Sequence, residues 1–345
     1  MGAPNIYLPG VPRTLRITQT MWEDFVMDPV LAQSVIMGWR LDAFQEVRLR
    51  YYWWVPDVID ISGLMTGKTL VNWIYSNLRA VLIPDQVVGV FYPSHNTGQE
   101  TFWTYYDKCP GKIFQAQKGK LDKGEEDDGS KTRRSGEKKS GGTWSARFRN
   151  GNMLYLPAAD IQKDSANQAS KDFNTLLVDE FAMIDERSEA IDKQLTGRAR
   201  RASWNEHHPV WGNHRVLTAP AKTRLHPSFA RVAAAEKEVA KGNPGWAVLN
   251  MSYKDYSDLP VSGPMVTAGR GGPVGPRVKT FREVYRNEGV IQGLKTRKPR
   301  AEFVGEALGL NMLAGTGWFN EALVAGAVQL GRVGGVRVEL GRGKN

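Results

Sequence analysis

The chain has a single cysteine, Cys109, in 345 residues. One thiol excludes an intrachain disulfide framework and any cysteine-built zinc site, and it fits a reducing compartment. Histidine is almost as scarce. The pair His207 and His208, close to His214, has no cysteine or ordered acidic neighbour and reads as loop histidines rather than metal ligands. No apolar run reaches the roughly 18 residues of a membrane span, and the amino terminus lacks a secretory leader's charged and apolar regions. No membrane association is expected, and secretion by that route is not. Acid is short relative to base, with 36 Asp and Glu against 46 Lys and Arg and a formal charge of +10. That excess points to a polyanionic partner, nucleic acid first.

What is present suffices for one large α/β domain with a smaller appendage: 41% of residues are hydrophobic. The chain is organised around residues 60–69. A short β-branched run at 55–61 leads into Ser62, Gly63, Leu64, Met65, Thr66, Gly67, Lys68 and Thr69. Beyond them Leu70, Trp73, Ile74, Leu78, Val81 and Leu82 recur at helical spacing until Pro84. Strand, loop and helix are the context a phosphate-binding P-loop requires. Backbone N–H groups and the helix N-terminus form an anion cradle, Lys68 neutralises phosphate charge, and the Thr69 hydroxyl can ligate Mg2+. The pattern G-x-x-x-x-G-K-[ST] is broken at its first glycine, which is Ser62 here. By itself the motif is equally a glycine turn capped by Thr69.

The flanking segments carry more signal. Residues 1–20 read as an irregular arm with Pro4, Pro9 and Pro12, and residues 21–39 as one or two helices. Upstream of the P-loop, Phe44 and Gln45 suit adenine, with a ring to pack on and an amide to read the base edge. In isolation the pair is also a core Phe beside a surface Gln. Residues 87–92 read as a buried strand ending in a polar loop at 93–98, either a solvated turn or a phosphate or DNA contact. A helix is expected over 99–106. Residues 117–143 are Lys, Glu, Asp, Gly and Ser with almost nothing apolar, which predicts a disordered insertion. Two alternating runs about Asn150 and Gly151 then predict a hairpin.

Residues 175–178 are a buried-strand pattern that ends in Asp179 and Glu180. Two adjacent carboxylates there are costly unless they have a task. With a P-loop upstream, Asp179 would hold the metal and Glu180 would orient and polarise an attacking water. The plain alternative is an acidic helix N-terminus. A further strand at 214–218 ends in Thr218, placed to sense a γ-phosphate or simply to close a strand before Pro220. A helix at 229–239 and a strand at 246–251 follow. From about 260 the composition turns rich in Gly and Pro, then basic near Lys295 and Arg300.

Taken in order, Phe44 with Gln45, residues 62–69, Leu177 to Glu180, and Leu217, Thr218 and Pro220 resemble the ATPase half of the large terminase subunit of tailed bacteriophages. Arg300, Glu302 and Glu306 are similar to the segment that joins that family's ATPase and nuclease domains. The resemblance implies an α/β P-loop NTPase core of the RecA-like, catalytic-glutamate kind, with a mainly parallel central sheet flanked by helices. It divides the chain into an amino-terminal arm and helices at 1–37, the ATPase domain at 38–260, and a linker with a small carboxyl-terminal subdomain at 261–345. It implies ATP and Mg2+ as cofactors. Gln45 would read adenine, Lys68 and Thr69 would bind phosphate and metal, Asp179 would hold the metal, Glu180 would be catalytic and Thr218 would couple hydrolysis to movement. It further implies a motor that pumps double-stranded DNA through the portal protein of a procapsid, as a homo-oligomeric ring working with a small terminase subunit in the host cytoplasm.

Two departures stand out. Many members of that family carry an arginine inside the P-loop, and residues 62–69 hold none. Transition-state charge must then be met from elsewhere, for example a neighbouring subunit, with Arg147 and Arg149 before the acidic pair, or Arg198 and Arg200 after it, as candidates. The second departure is that aspartate disappears after Asp258 and the remaining glutamates are scattered, so a two-metal nuclease site is not expected. Either a nuclease is encoded separately or the chain ends before it. Rival readings are a helicase-like translocase, for which the residues after about 260 are too few to make a second RecA-like domain, and a nucleotide-binding docking module without turnover, for which Glu180 would have no use.

Overall fold

The structure is a computed structural model and describes residues 12–63, 66–93, 95–119, 121–122, 144–156, 172–185, 210–220 and 226–251, with short strand pairs at 263–264, 332–333 and 336–337. Helices α1 (Gln19–Met27) and α2 (Pro29–Met37) precede strand β1 (Trp39–Arg40) and helix α3 (Ala43–Trp54). Strand β2 (Asp57–Asp60), helix α4 (Lys68–Leu82) and strand β3 (Val87–Phe91) follow. Next come α5 (His95–Lys108), α6 (Lys112–Gln117), β4 (Leu121–Asp122), β5 (Trp144–Arg147) and β6 (Met153–Leu156). The run closes with β7 (Thr175–Asp179), α7 (Phe181–Asp185), β8 (His214–Thr218), α8 (Pro227–Ala240) and β9 (Trp246–Leu249).

One 8-stranded sheet orders these strands β4-β5-β6-β3-β7-β8-β2-β9. From β6 to β9 every pairing is parallel, while β4 and β5 run antiparallel at one edge. Parallel strands need both faces covered, and β3 and β7 are buried along their whole length. Alternation along each strand feeds two cores. Val58, Leu177, Val216 and Leu249 pack with α1 to α6, whereas Ile59, Val178, Leu217 and Val248 pack with Phe181, Val232 and Ala235 of α7 and α8. The sheet is therefore the middle of three layers.

The helix after the P-loop is the hub of the larger core. Trp73 of α4 is fully buried against Phe102, Tyr105 and Phe114, with ring centroids 5.6 to 6.3 Å apart. Truncating such a side chain costs about 3–5 kcal/mol. The last carbonyls of α4 are orphans of the helical pattern, and tertiary donors satisfy them. Trp22 Nε1 reaches Leu82 O at 2.7 Å, and Asn152 Nδ2 reaches Ala80 O and Ile83 O at 2.8 and 2.6 Å. Arg79, also fully buried, ties the helix to Thr175, Gln86, Gly212 O and Val210 O, at the amino ends of the strands.

Several expectations change. Residues 43–54, given no element from sequence, are the full helix α3, which Asp42 starts through a capping box with Gln45. The polar loop at 93–98 is shorter than expected, because α5 begins at His95. Asn, Thr and Gly are tolerated in a first turn, where N–H groups need no intrahelical partner. The insertion at 117–143 is not wholly irregular, since Gln117 closes α6 and Leu121–Asp122 adds an edge strand to the sheet. The hairpin about Asn150 and Gly151 is present, with Gly151 at φ 91°. Arg198, Arg200, His207, His208 and nearly all of 261–345 lie outside the described residues.

Candidate functional site

Three strands end side by side with polar residues in register. Asp60 of β2 pairs with Thr218 of β8, and Thr218 pairs with Asp179 of β7. In open α/β sheets the carboxyl ends of the strands are where ligands gather. The loop that leaves β2 turns over this edge and feeds α4.

That loop is fixed on all sides. Ser62, the residue that breaks the glycine pattern, is buried, and its hydroxyl accepts from Met251 N at 3.0 Å, while Gly63 N donates to Met251 O at 3.0 Å. A glycine could not make the first bond, so the departure from the motif has a local cause. The Thr66 hydroxyl donates to Gly63 O at 2.8 Å. Gly67 has φ 75°, a left-handed conformation that favours glycine, and a Cβ there would stand 2.1 Å from Gln45 Nε2, so the amide would have to move aside. Leu64 and Met65 lie outside the described residues. Among the described residues no N-cap side chain closes the N-terminus of α4, whose first N–H groups can face an anion.

Lys68 is buried at the head of α4, and its Nζ donates to Ser62 O at 2.7 Å and Gly63 O at 2.8 Å. Burial pushes its pKa down, opposed by the charges of Asp60, Glu180 and Asp179. Beside it, the Thr69 hydroxyl donates to Asp179 Oδ2 at 3.3 Å. Asp179 Oδ1 accepts from Thr218 Oγ1 at 2.7 Å and from Glu180 N at 3.2 Å. Burial raises the Asp179 carboxyl above its ordinary range, against the Thr218 hydrogen bond and the Lys68 charge. Glu180 has left-handed backbone, φ 52°. For a residue with a Cβ that conformation costs on the order of 1 kcal/mol, and such strain gathers at functional positions.

A hydroxyl and a carboxylate at adjoining positions are hard oxygen donors and suit Mg2+. Thr69 and Asp179 are thus the residues that could hold such an ion. Gln45 lies against Gly67 at the base of the loop, its Oε1 accepting from Asp42 N at 3.3 Å.

Arg147 and Arg149 are not brought to this site. Arg147 stands opposite Met153, which pairs with Val87 at the amino end of β3. The neighbouring Asn150 bonds to Ala80 O, at the far end of a 15-residue helix that is about 22 Å long. Within one chain neither arginine reaches a phosphate on the P-loop. The reason is topological: the hairpin strand β5 runs antiparallel to the rest, so its carboxyl end is at the wrong edge.

Sequence reasoning also missed residues. Arg48, Tyr52 and Asp60 form a buried cluster under the loop, and Asn72 Nδ2 donates to Thr218 Oγ1 at 2.9 Å. Their signal was there. Gln45, Arg48 and Tyr52 share the buried face of α3, and Thr69 and Asn72 share a face of α4.

No protein-family model matches the sequence, and no curated relative does. Solved structures do. The large terminase from a thermophilic bacteriophage is similar at a TM-score of 0.50 and 12% identity, over 80% of this chain and 54% of that one. The same protein in complex with ATP-gamma-S gives 0.49 at 11% identity over 80% and 54% of the two chains. The large terminase of bacteriophage HK97 gives 0.48 at 12% identity over 79% and 51%. The chain therefore spans about half the length of the terminases it matches. At such identity the likeness establishes architecture: this chain has the α/β P-loop NTPase fold, in common with the large terminase of the thermophilic phage.

Proposed function

We propose that this chain is an ATP-hydrolysing motor of the terminase kind, which moves double-stranded viral DNA into a preformed procapsid. The observation that carries the reading is the convergence of Lys68, Thr69, Asp179, Glu180 and Thr218 on one sheet edge. Lys68 and the N-terminus of α4 bind the β- and γ-phosphates of ATP. Thr69 and Asp179 would hold Mg2+, which would supply positive charge to neutralise the phosphate oxygens. Glu180 accepts a proton from water as the water oxygen bonds to the γ-phosphorus. The bond to the β–γ bridging oxygen breaks with its electrons on ADP, and inorganic phosphate leaves. Thr218, bonded to Asp179, would pass the loss of the γ-phosphate to the segment after β8.

The basic charge of the chain suits DNA, and the motor works as a ring on the portal with a small terminase subunit, in the host cytoplasm. No described helix is long and apolar enough to cross a membrane. The chain as given is proposed not to cut DNA.

The test is steady-state ATP hydrolysis with and without long double-stranded DNA, alongside Glu180→Ala. DNA-stimulated turnover that disappears in the variant supports the motor. Tight nucleotide binding without turnover under any condition, including with portal-bearing procapsids, supports a docking module instead.

A further inference from the structure

Beneath the P-loop lies an ion pair to which the hydrolytic reading gives no task. Arg48 of α3 and Asp60, the last residue of β2, are both fully buried, and Arg48 Nε donates to Asp60 Oδ2 at 2.5 Å. Buried pairs are poor sources of stability, because desolvation offsets their attraction. The location of this one is more informative than its strength. Asp60 accepts two further hydrogen bonds, from Tyr52 Oη to Oδ2 at 2.7 Å and from Ser62 N to Oδ1 at 3.0 Å. Arg48 continues past it to the loop, where Nη1 donates to Thr66 O at 2.8 Å.

Lys68 is in the same pocket, close enough to Asp60 for the two charges to shift one another's pKa. Its ammonium nevertheless sits on the neutral carbonyls of Ser62 and Gly63. A carboxylate's full negative charge attracts an ammonium more strongly than a carbonyl dipole does, and more so where water is excluded. An unoccupied Asp60 would compete for the ammonium, and a phosphate would then have to break an ion pair to recruit it.

We infer that Arg48 is a positioning residue of the nucleotide site: by engaging Asp60 it keeps the Lys68 ammonium on neutral carbonyls, available to a nucleotide polyphosphate. The inference rests on the nucleotide-binding reading proposed above. It predicts that Arg48 acts through Asp60 and Lys68, not merely as a prop.

Titration with a fluorescent non-hydrolysable ATP analogue separates these roles. Arg48→Gln frees Asp60 to capture Lys68 and weakens binding roughly tenfold or more. Adding Asp60→Asn to that variant removes the competitor and restores affinity to within about threefold of the unaltered protein. In a Lys68→Ala background Arg48→Gln changes affinity little. The double variant carries a neutral pair, so it reports even where Arg48→Gln alone is unfolded by circular dichroism. A folded double variant that binds as weakly as Arg48→Gln, or an Arg48→Gln variant of unchanged affinity, overturns the inference while leaving the motor reading intact. Failure of the unaltered chain to bind the analogue sinks both.

Discussion

The Thr218 hydroxyl gives its proton to Asp179 Oδ1, 2.7 Å away, and accepts the Asn72 side-chain amide at 2.9 Å. A hydroxyl has one proton, so these two bonds fix its direction. Asp179 is thereby held from three sides, by Thr218, by Thr69 and by Glu180 N. The strand tip of β8 and the first turn of α4 thus meet at one carboxylate.

Thr218→Val keeps the shape and removes the relay. Asn72 and Asp179 are each left a partner short in a buried site, which destabilises the fold by roughly 1–3 kcal/mol. Thr218→Ser restores both bonds and is expected to recover most of the loss. Denaturant midpoints read the stability change, and turnover by the valine variant is expected to fall further than its nucleotide affinity. Equal effects of valine and serine would mean that the hydroxyl has no part in either.

Glu180 offers a trade between stability and chemistry. Its φ of 52° favours glycine. Glu180→Gly relieves the backbone and is expected to change stability by between about 0 and +1 kcal/mol, because glycine also loosens the unfolded chain. Glu180→Gln keeps the strain and the shape while removing the proton acceptor, at a cost of about 100-fold or more in turnover. Hydrolysis is lost in both, so thermal midpoints carry the comparison. A glycine variant clearly less stable than the glutamine variant would mean that the Glu180 side chain holds the fold as well as the site.

Gly67→Ala is expected to cost about 1–2 kcal/mol through its backbone, with a further loss as Gln45 is displaced. The new Cβ would stand 2.1 Å from Gln45 Nε2, and φ 75° is a left-handed conformation that alanine resists. Displacing Gln45 breaks its bond with Asp42 N at the start of α3, so the damage spreads from the loop to a helix start. Adding Gln45→Ala makes space but cannot restore the backbone. The double variant should therefore recover part of the stability and little of the nucleotide affinity, as measured by calorimetric unfolding and analogue titration.

What could be read in the sequence follows from the range of each interaction. The buried strands at β3 and β7, the P-loop helix and the hairpin are local patterns of alternation, periodicity and turn residues, and they recur in the fold. The strand order and the distance from Arg147 to the P-loop depend on pairing across the sheet, and no local pattern encodes them. Helix α3 was hidden because its face holds Gln45, Arg48 and Tyr52 where an apolar stripe would be expected. Those polar residues are buried because the P-loop, on the far side of strand β2, packs over them. The Ser62 departure had no visible cause until Met251 came beside it.

The same helix start makes a pH prediction. Asp42 caps α3 by accepting from Gln45 N at 2.9 Å, and burial raises its carboxyl to about 6 from 3.8. Its other oxygen, Oδ2, is buried without a hydrogen-bond partner among the described residues. A raised folded-state pKa means that the fold holds the proton more tightly than the unfolded chain does. The associated stability is complete below about 3.8 and is lost as pH rises through about 6, a total of roughly 3 kcal/mol by linkage. Asp42→Asn keeps an oxygen for Gln45 N and never ionises. Its stability advantage should be near zero at pH 3.8 and grow to about 2–3 kcal/mol by pH 7, read as paired denaturation curves across that range. An advantage that stays flat with pH would show that the carboxyl titrates alike in the folded and unfolded chain, the α3 N-terminus offsetting the burial penalty in full.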